Sequence, residues 1–296
     1  MSQTRRTTTR SSAIAWAFTA PYALLLLAVG VVPALYAIYG SFNSLKNPTS
    51  LSFDNYAAVV HDFRFLPAIG NVALFTVIWI PVMVFGTILL ALLLHEKVGR
   101  FSSAMRLVFF LPGAVTGSAA VLLWYFMLDP QVSPFAPSLH ALGLHTSNDV
   151  FTSSNLAPIF ALVAFITGVG QWIVIMFGAL QGIPQELLES ARIDGAGPFR
   201  TALLIKLPLI RKYVVYMLIL AFAAALQIFA EPSLFYSITK SGSSWWSLNQ
   251  LGYTFAFAQG DFGQAATVSV VLMVVSAAAA LFLVFKTDFF KNEEES

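Results

Sequence analysis

The chain has no cysteine, which removes disulfides and thiolate metal sites from consideration but identifies no compartment. It is poor in charge as well. Only 10% of its residues are Asp, Glu, Lys or Arg, where a soluble domain carries roughly a quarter. The formal net charge of +2 offers no basic surface for a nucleic-acid partner. No G-x-x-x-x-G-K-[ST] stretch occurs, so the chain does not itself cradle nucleotide phosphates. There is no H-E-x-x-H, and His61, His95, His140 and His145 are scattered, so no metal site is expected. Ser and His fall into no hydrolase pattern.

What the chain has in abundance is apolar sequence: 58% hydrophobic residues and a mean hydropathy of +0.77. A membrane-spanning helix needs about 20 apolar residues. Six runs qualify: about Ala13 to Tyr39, Asn71 to Leu94, Ala104 to Leu128, Ala157 to Leu180, Tyr213 to Ala230 and Ala265 to Phe285. The first follows a basic start and competes with a signal peptide, but it is too long and lacks a clear small-residue cleavage site. Pro33, Pro81 and Pro112 lie in or near these runs and predict kinks. The middle of each run is free of ionisable residues, which argues against a proton or ion relay.

Loop charges orient the spans. Arg5, Arg6 and Arg10, then Lys97, Arg100 and Arg106, then Arg192, Arg200, Lys206, Arg211 and Lys212, then Lys286 and Lys291 fall on one side. The other side has only Lys46, Arg64 and Lys240. The expected architecture is therefore all-α and integral to the membrane. It comprises a tail at 1–12, a transmembrane domain at 13–290 and a tail at 291–296, with both termini cytoplasmic.

One charged stretch interrupts the apolar sequence: the segment 182–212, between spans four and five. Unpaired polar groups cost several kcal/mol each in lipid, so this segment must face water. Pro184 suits a first helical position, and Glu186 and Glu189 favour the start of a helix. Glu189 and Arg192 are spaced to pair. Gly195-Ala196-Gly197 ends that helix, because glycine adopts the left-handed cap conformation at low cost. Pro198 restarts a helix whose apolar face is Phe199, Ala202 and Leu203, and Leu207-Pro208 stops it. The result is a helix–turn–helix on a membrane protein. An ordinary solvated loop is the competing reading.

The spacing Glu189, Ala191, Gly195, Ile205, Leu207 and Pro208 resembles the EAA motif of membrane subunits in binding-protein-dependent ABC importers. Asp194-Gly195-Ala196 is similar to the form in the sugar-permease branch. Ser190 departs from the usual alanine but is equally small. Phe53-Asp54-Asn55-Tyr56, Phe110-Leu111-Pro112, Trp124, Asp129-Pro130, Ile228-Phe229, Glu231-Pro232 and Gly260-Asp261-Phe262-Gly263 are weaker matches that extend the likeness over Trp16 to Phe285. The resemblance implies that the segment is a coupling helix docking on an ATPase subunit through Glu189, Ala191, Asp194, Gly195, Ala196 and Phe199. It further implies a second homologous permease, two ATPase subunits carrying ATP and Mg, an extracytoplasmic solute-binding protein, a sugar substrate and a bacterial inner-membrane location. No cofactor and no catalytic residue is implied for this chain.

The polar residues left inside or beside spans are Asn71, Gln171, Trp172 and Gln227, with Glu231 at the outer end of span five. They either line a solute path or hold helices together. Gln171-Trp172 offers an amide beside a flat indole, which suits a sugar ring. Gln227 and Glu231 are spaced to share one helical face. Trp245-Trp246 suits an interface anchor or a contact for a solute-delivering partner. An ion-coupled carrier is the alternative function, one that would transport without an ATPase.

Overall fold

The computed structural model describes residues 16–43, 50–97, 99–115 and 117–287. The expected tails 1–12 and 291–296, together with Lys46, lie outside the described residues. Helix α1 (Trp16–Phe42) is followed by α2 (Asp54–His61), α3 (Phe65–Glu96), α4 (Arg100–Ala114) and α5 (Gly117–Leu128). Two short helices, α6 (Ala136–Ala141) and α7 (Ser147–Val150), lead into α8 (Leu156–Gln181). Then come α9 (Gln185–Ile193), α10 (198–209), α11 (Arg211–Leu226), α12 (Ala230–Thr239), α13 (Leu248–Tyr253) and α14 (Phe262–Lys286). Among the described residues the β contact present is one isolated bridge, Asn43 to Leu51.

Among the described residues, five helical stretches are long and apolar enough to cross a membrane: α1, α3, α8, α11 with α12, and α14. A sixth span is obtained only by joining α4 and α5, which meet at 106°. This corrects the continuous third span expected from Ala104 to Leu128. Pro112 has no N–H to extend the helix. Five residues after it the backbone turns at Gly117, where φ is +63°.

The other prolines act differently. Pro81 sits inside α3, which runs through it for 32 residues. In α1 and α10 a π-turn ends two residues before the proline: Leu26–Val31 before Pro33 and Ala202–Lys206 before Pro208. The wider turn lets the Val32 and Leu207 amides reach back five residues, to the Leu27 and Ala202 carbonyls. The sequence reading has Leu207-Pro208 stop α10, but the helix continues through Pro208. The break comes at Ile210.

Helix α8 is the axis of the bundle, with Phe160, Ile173, Met176 and Leu180 fully buried along it. Its neighbours approach through glycine. A Cβ added at Gly170 would lie 2.5 Å from Phe110 Cα, and one at Gly113 would lie 2.6 Å from the Thr167 carbonyl oxygen, so α4 and α8 touch backbone to backbone. Gly86 of α3 and Gly168 of α8 admit the Phe165 ring and the Met83 methyl in the same way. Lipid supplies no hydrophobic drive between helices, so such close packing is what holds them together.

Helix α1 is peripheral and leans on α14, where Thr267 Oγ1 donates to the Ser41 carbonyl at 3.4 Å. Nearby, two short motifs noted in the sequence come together. Buried Asn55 donates through Nδ2 to the Ser41 and Asn43 carbonyls, and a Cβ at Gly263 would sit 2.7 Å from that nitrogen. Asp261 caps α14, accepting from the Gln264 amide at 2.9 Å.

Candidate functional site

The charged segment folds as a pair of helices at one end of the bundle. Pro184 is the cap of α9 and not its first residue, with ψ at 133°, and the helix begins at Gln185. Ser190 Oγ bonds back to the Glu186 carbonyl at 2.8 Å, and the expected Glu189–Arg192 ion pair does not form. The end of α9 is a Schellman turn. The Ala196 amide donates to the Ala191 carbonyl at 2.9 Å and the Gly195 amide to the Arg192 carbonyl at 3.0 Å. Gly195 has φ of +79°, the left-handed conformation the sequence calls for. An added Cβ there would meet no atom within 4 Å, so the requirement for glycine within this chain is the backbone angle alone. Gly197 then caps α10, with Pro198 at its first turn and the Thr201 amide on the Gly197 carbonyl at 3.0 Å.

The expected docking residues divide by exposure. Glu189, Asp194, Gly195 and Phe199 are exposed and Ala196 is half-buried. Ala191 is buried at 6% exposure, so it faces the bundle, and its contribution is the carbonyl that closes the turn. The sequence reading missed Ile193, which at 86% exposure stands beside Phe199 (78%) as the most open apolar side chain of the helix pair. An isolated branched apolar residue just before Asp194-Gly195 was the available signal. It also missed the attachment of the pair to the bundle. The Lys206 ammonium, on a residue only 4% exposed, makes an ion pair with Glu96 at the end of α3. The two residues lie 110 positions apart, so no local pattern could reveal the contact. A void of about 80 Å³ beside the pair is lined by Glu96, Leu188, Arg192, Ala196, Pro198, Thr201 and Lys206.

The expected path residues do not converge. Trp172 is buried with its ring edge-to-face on Tyr216 at 6.0 Å, so it joins α8 to α11, whereas Gln171 is exposed. Asn71 Nδ2 is committed to the Trp246 carbonyl at 3.1 Å, fastening α3 to the segment before α13. Gln227 and Glu231 do not share a helical face, because α11 ends at Leu226 and α12 starts at Ala230. Gln227 lines a cavity of about 630 Å³ with Asn249, Ser269 and Ser276, between α11, α13 and α14. Glu231 lines a different one of about 300 Å³, with Thr167, Gly168, Gly113 and Gly117, inside the bend between α4 and α5. The break at Gln227 leaves irregular backbone at the edge of the larger cavity, the position in which a membrane protein tolerates it.

A third polar group ties the opposite end of the bundle. Arg64 makes a bidentate pair with Asp62 at 2.7 and 2.8 Å and lies 5.0 Å over the Phe255 ring. Its other guanidinium nitrogen, Nη1, reaches the Gln259 side-chain oxygen at 2.9 Å. The hydrogen bond from Arg64 holds the Asp62 carboxyl below its ordinary value, against the opposing effect of partial burial.

A bundle of apolar helices with cavities at broken spans and a water-facing helix pair at one end defines a transport subunit of a membrane. The family model for the inner membrane component of binding-protein-dependent transport systems matches residues 56–289, and the chain belongs to that family. It is a permease subunit of an ABC importer and not an enzyme. The probable ABC transporter permease YurN of Bacillus subtilis is 29% identical over 263 residues, 87% of each chain. The diacetylchitobiose uptake permease NgcF of Streptomyces coelicolor is 32% identical over 249 residues, 79% of this chain and 70% of its own. In fold, the chain matches a solved bacterial ABC transporter involved in the import of the acidic polysaccharide alginate. The TM-score is 0.79 at 18% identity, over 98% of this chain and 100% of that one.

Proposed function

We propose that this chain is the path-forming subunit of a bacterial carbohydrate importer and that α9 and α10 are its lever. The observation that carries the reading is the helix pair itself. It is closed by a Schellman turn at Gly195, open at Glu189, Ile193, Asp194 and Phe199, and anchored to the bundle from behind. An ordinary loop has no use for an exposed apolar tip on a braced support. A cleft on an ATPase subunit, which would bind ATP and Mg, is the complementary surface.

In this reading the helix pair faces the cytoplasm with both termini, and the opposite end receives solute from a binding protein. A second, homologous permease completes the path. The cavity lined by Gln227, Asn249, Ser269 and Ser276 contains amides and hydroxyls and no charged side chain, which suits an uncharged sugar. The uptake of diacetylchitobiose by a relative agrees with that chemistry.

Gly195→Val tests the lever. A branched residue at positive φ strains the turn by about 1–2 kcal/mol and re-aims Ile193 and Phe199. The variant is expected in the membrane at normal level, with co-purification of the ATPase subunit lost or sharply reduced. Normal ATPase attachment with full coupled ATP hydrolysis would return the segment to an ordinary loop.

A further inference from the structure

We infer that the Lys206–Glu96 ion pair is the joint through which movement of the helix pair reaches the outer half of the bundle. The inference rests on the lever reading above and adds the residues that transmit the motion. Lys206 lies in the π-turn of α10, and its side chain is 5% exposed. Glu96 is the last residue of α3. A buried ammonium held by one carboxylate resists separation, because parting them leaves a charge out of water with no partner. Displacing α9 and α10 therefore drags the end of α3 with it.

Helix α3 is suited to carry that displacement. It runs 32 residues without a break. Near its far end Asn71 is bonded to the Trp246 carbonyl, and Arg64, its cap residue, grips Gln259 and stacks on Phe255. A pull at Glu96 thus arrives at the segment around α13, which carries Asn249 of the larger cavity. The two covalent routes enter α8, through 182–184, and α11, through the break at Ile210. The ion pair is a third, non-covalent route, and among the described residues it is the one ion pair between the helix pair and α3.

The test uses the assembled importer in nanodiscs with Mg-ATP as the probe, so no sugar need be known. The chain lacks cysteine, so spin labels can be placed singly. One pair of labels, at Gln185 and Phe285, reports the lever. A second, at Leu66 and Leu142, reports the far end. In the parent, trapping Mg-ATP with vanadate is expected to shift both distances. Lys206→Met alone leaves Glu96 unpaired, so the decisive variant is Lys206→Met with Glu96→Gln, which removes the joint and the charge together. The lever shift is expected to persist in that variant while the far-end shift is lost. The exchanged pair Lys206→Glu with Glu96→Lys is expected to restore the far-end shift. A far-end shift retained in the neutral double variant would overturn the inference. A parent in which Mg-ATP moves neither pair would instead defeat the lever reading.

Discussion

At the scale of single residues, two side chains are held in states that make measurable predictions. Lys240 ends α12 with φ of +58°, the left-handed region that a residue with a Cβ enters at a cost of about 1 kcal/mol. Lys240→Gly is expected to stabilise the folded protein by about 1 kcal/mol, read as a rise in thermal midpoint in detergent. An unchanged or lower midpoint would mean that the Lys240 ammonium, 5.7 Å from the Tyr236 ring, offsets the strain.

Asp62 sets a pH signature. Its folded pKa lies below the ordinary 3.8, chiefly because Arg64 hydrogen-bonds the ionised form. The stabilisation is therefore complete well above that value and is lost as pH falls through the lower folded value. Asp62→Asn should consequently be less stable than the parent at neutral pH, with the gap closing below pH 3.8. A gap independent of pH would show that Asn keeps the Arg64 contact or that the pair adds nothing.

At the scale of helices, the packing rests on places where a side chain is missing. Gly170 and Gly113 let α8 and α4 meet at backbone distance, and the reading of span positions by hydropathy gave glycine no role there. Gly170→Ala inserts a methyl against the backbone of Phe109 and Phe110, which cannot rotate aside. The expected cost is about 1–3 kcal/mol, measured as a lowered thermal midpoint with faster proteolysis between α3 and α4. Gly178→Ala is the control, since a Cβ there would meet nothing within 4 Å. Equal behaviour of the two variants would refute backbone contact between α4 and α8.

At the scale of the whole molecule, the number of crossings decides on which side each end lies. α4 and α5 cross as one bent span if the total is six. Basic residues on one side then predict that Ser243 and the end of α14 face opposite compartments. Reporter fusions at Ser243 and after Thr287 should give opposite signals. Fusions at Arg100 and Gln131 should also differ, and matching signals there would show that the bent pair turns back without crossing.

The sequence alone determined the class of protein. Long apolar runs with no charge at their centres have one stable environment, and a polar island among them has to face water. It also determined the turn at Gly195, because a left-handed cap is a local requirement that a glycine between two helical patterns announces. Only the tertiary structure decided which polar residues share a space. Gln227 and Glu231 are four apart and suggest one face, but a helix break between them sends each to a different cavity. Lys206 and Glu96 are 110 apart, yet they meet. Periodicity describes a helix about its own axis and is silent on where that helix stops or what its end touches. Those depend on backbone groups and charges finding partners from distant segments, which only the folded chain brings within reach.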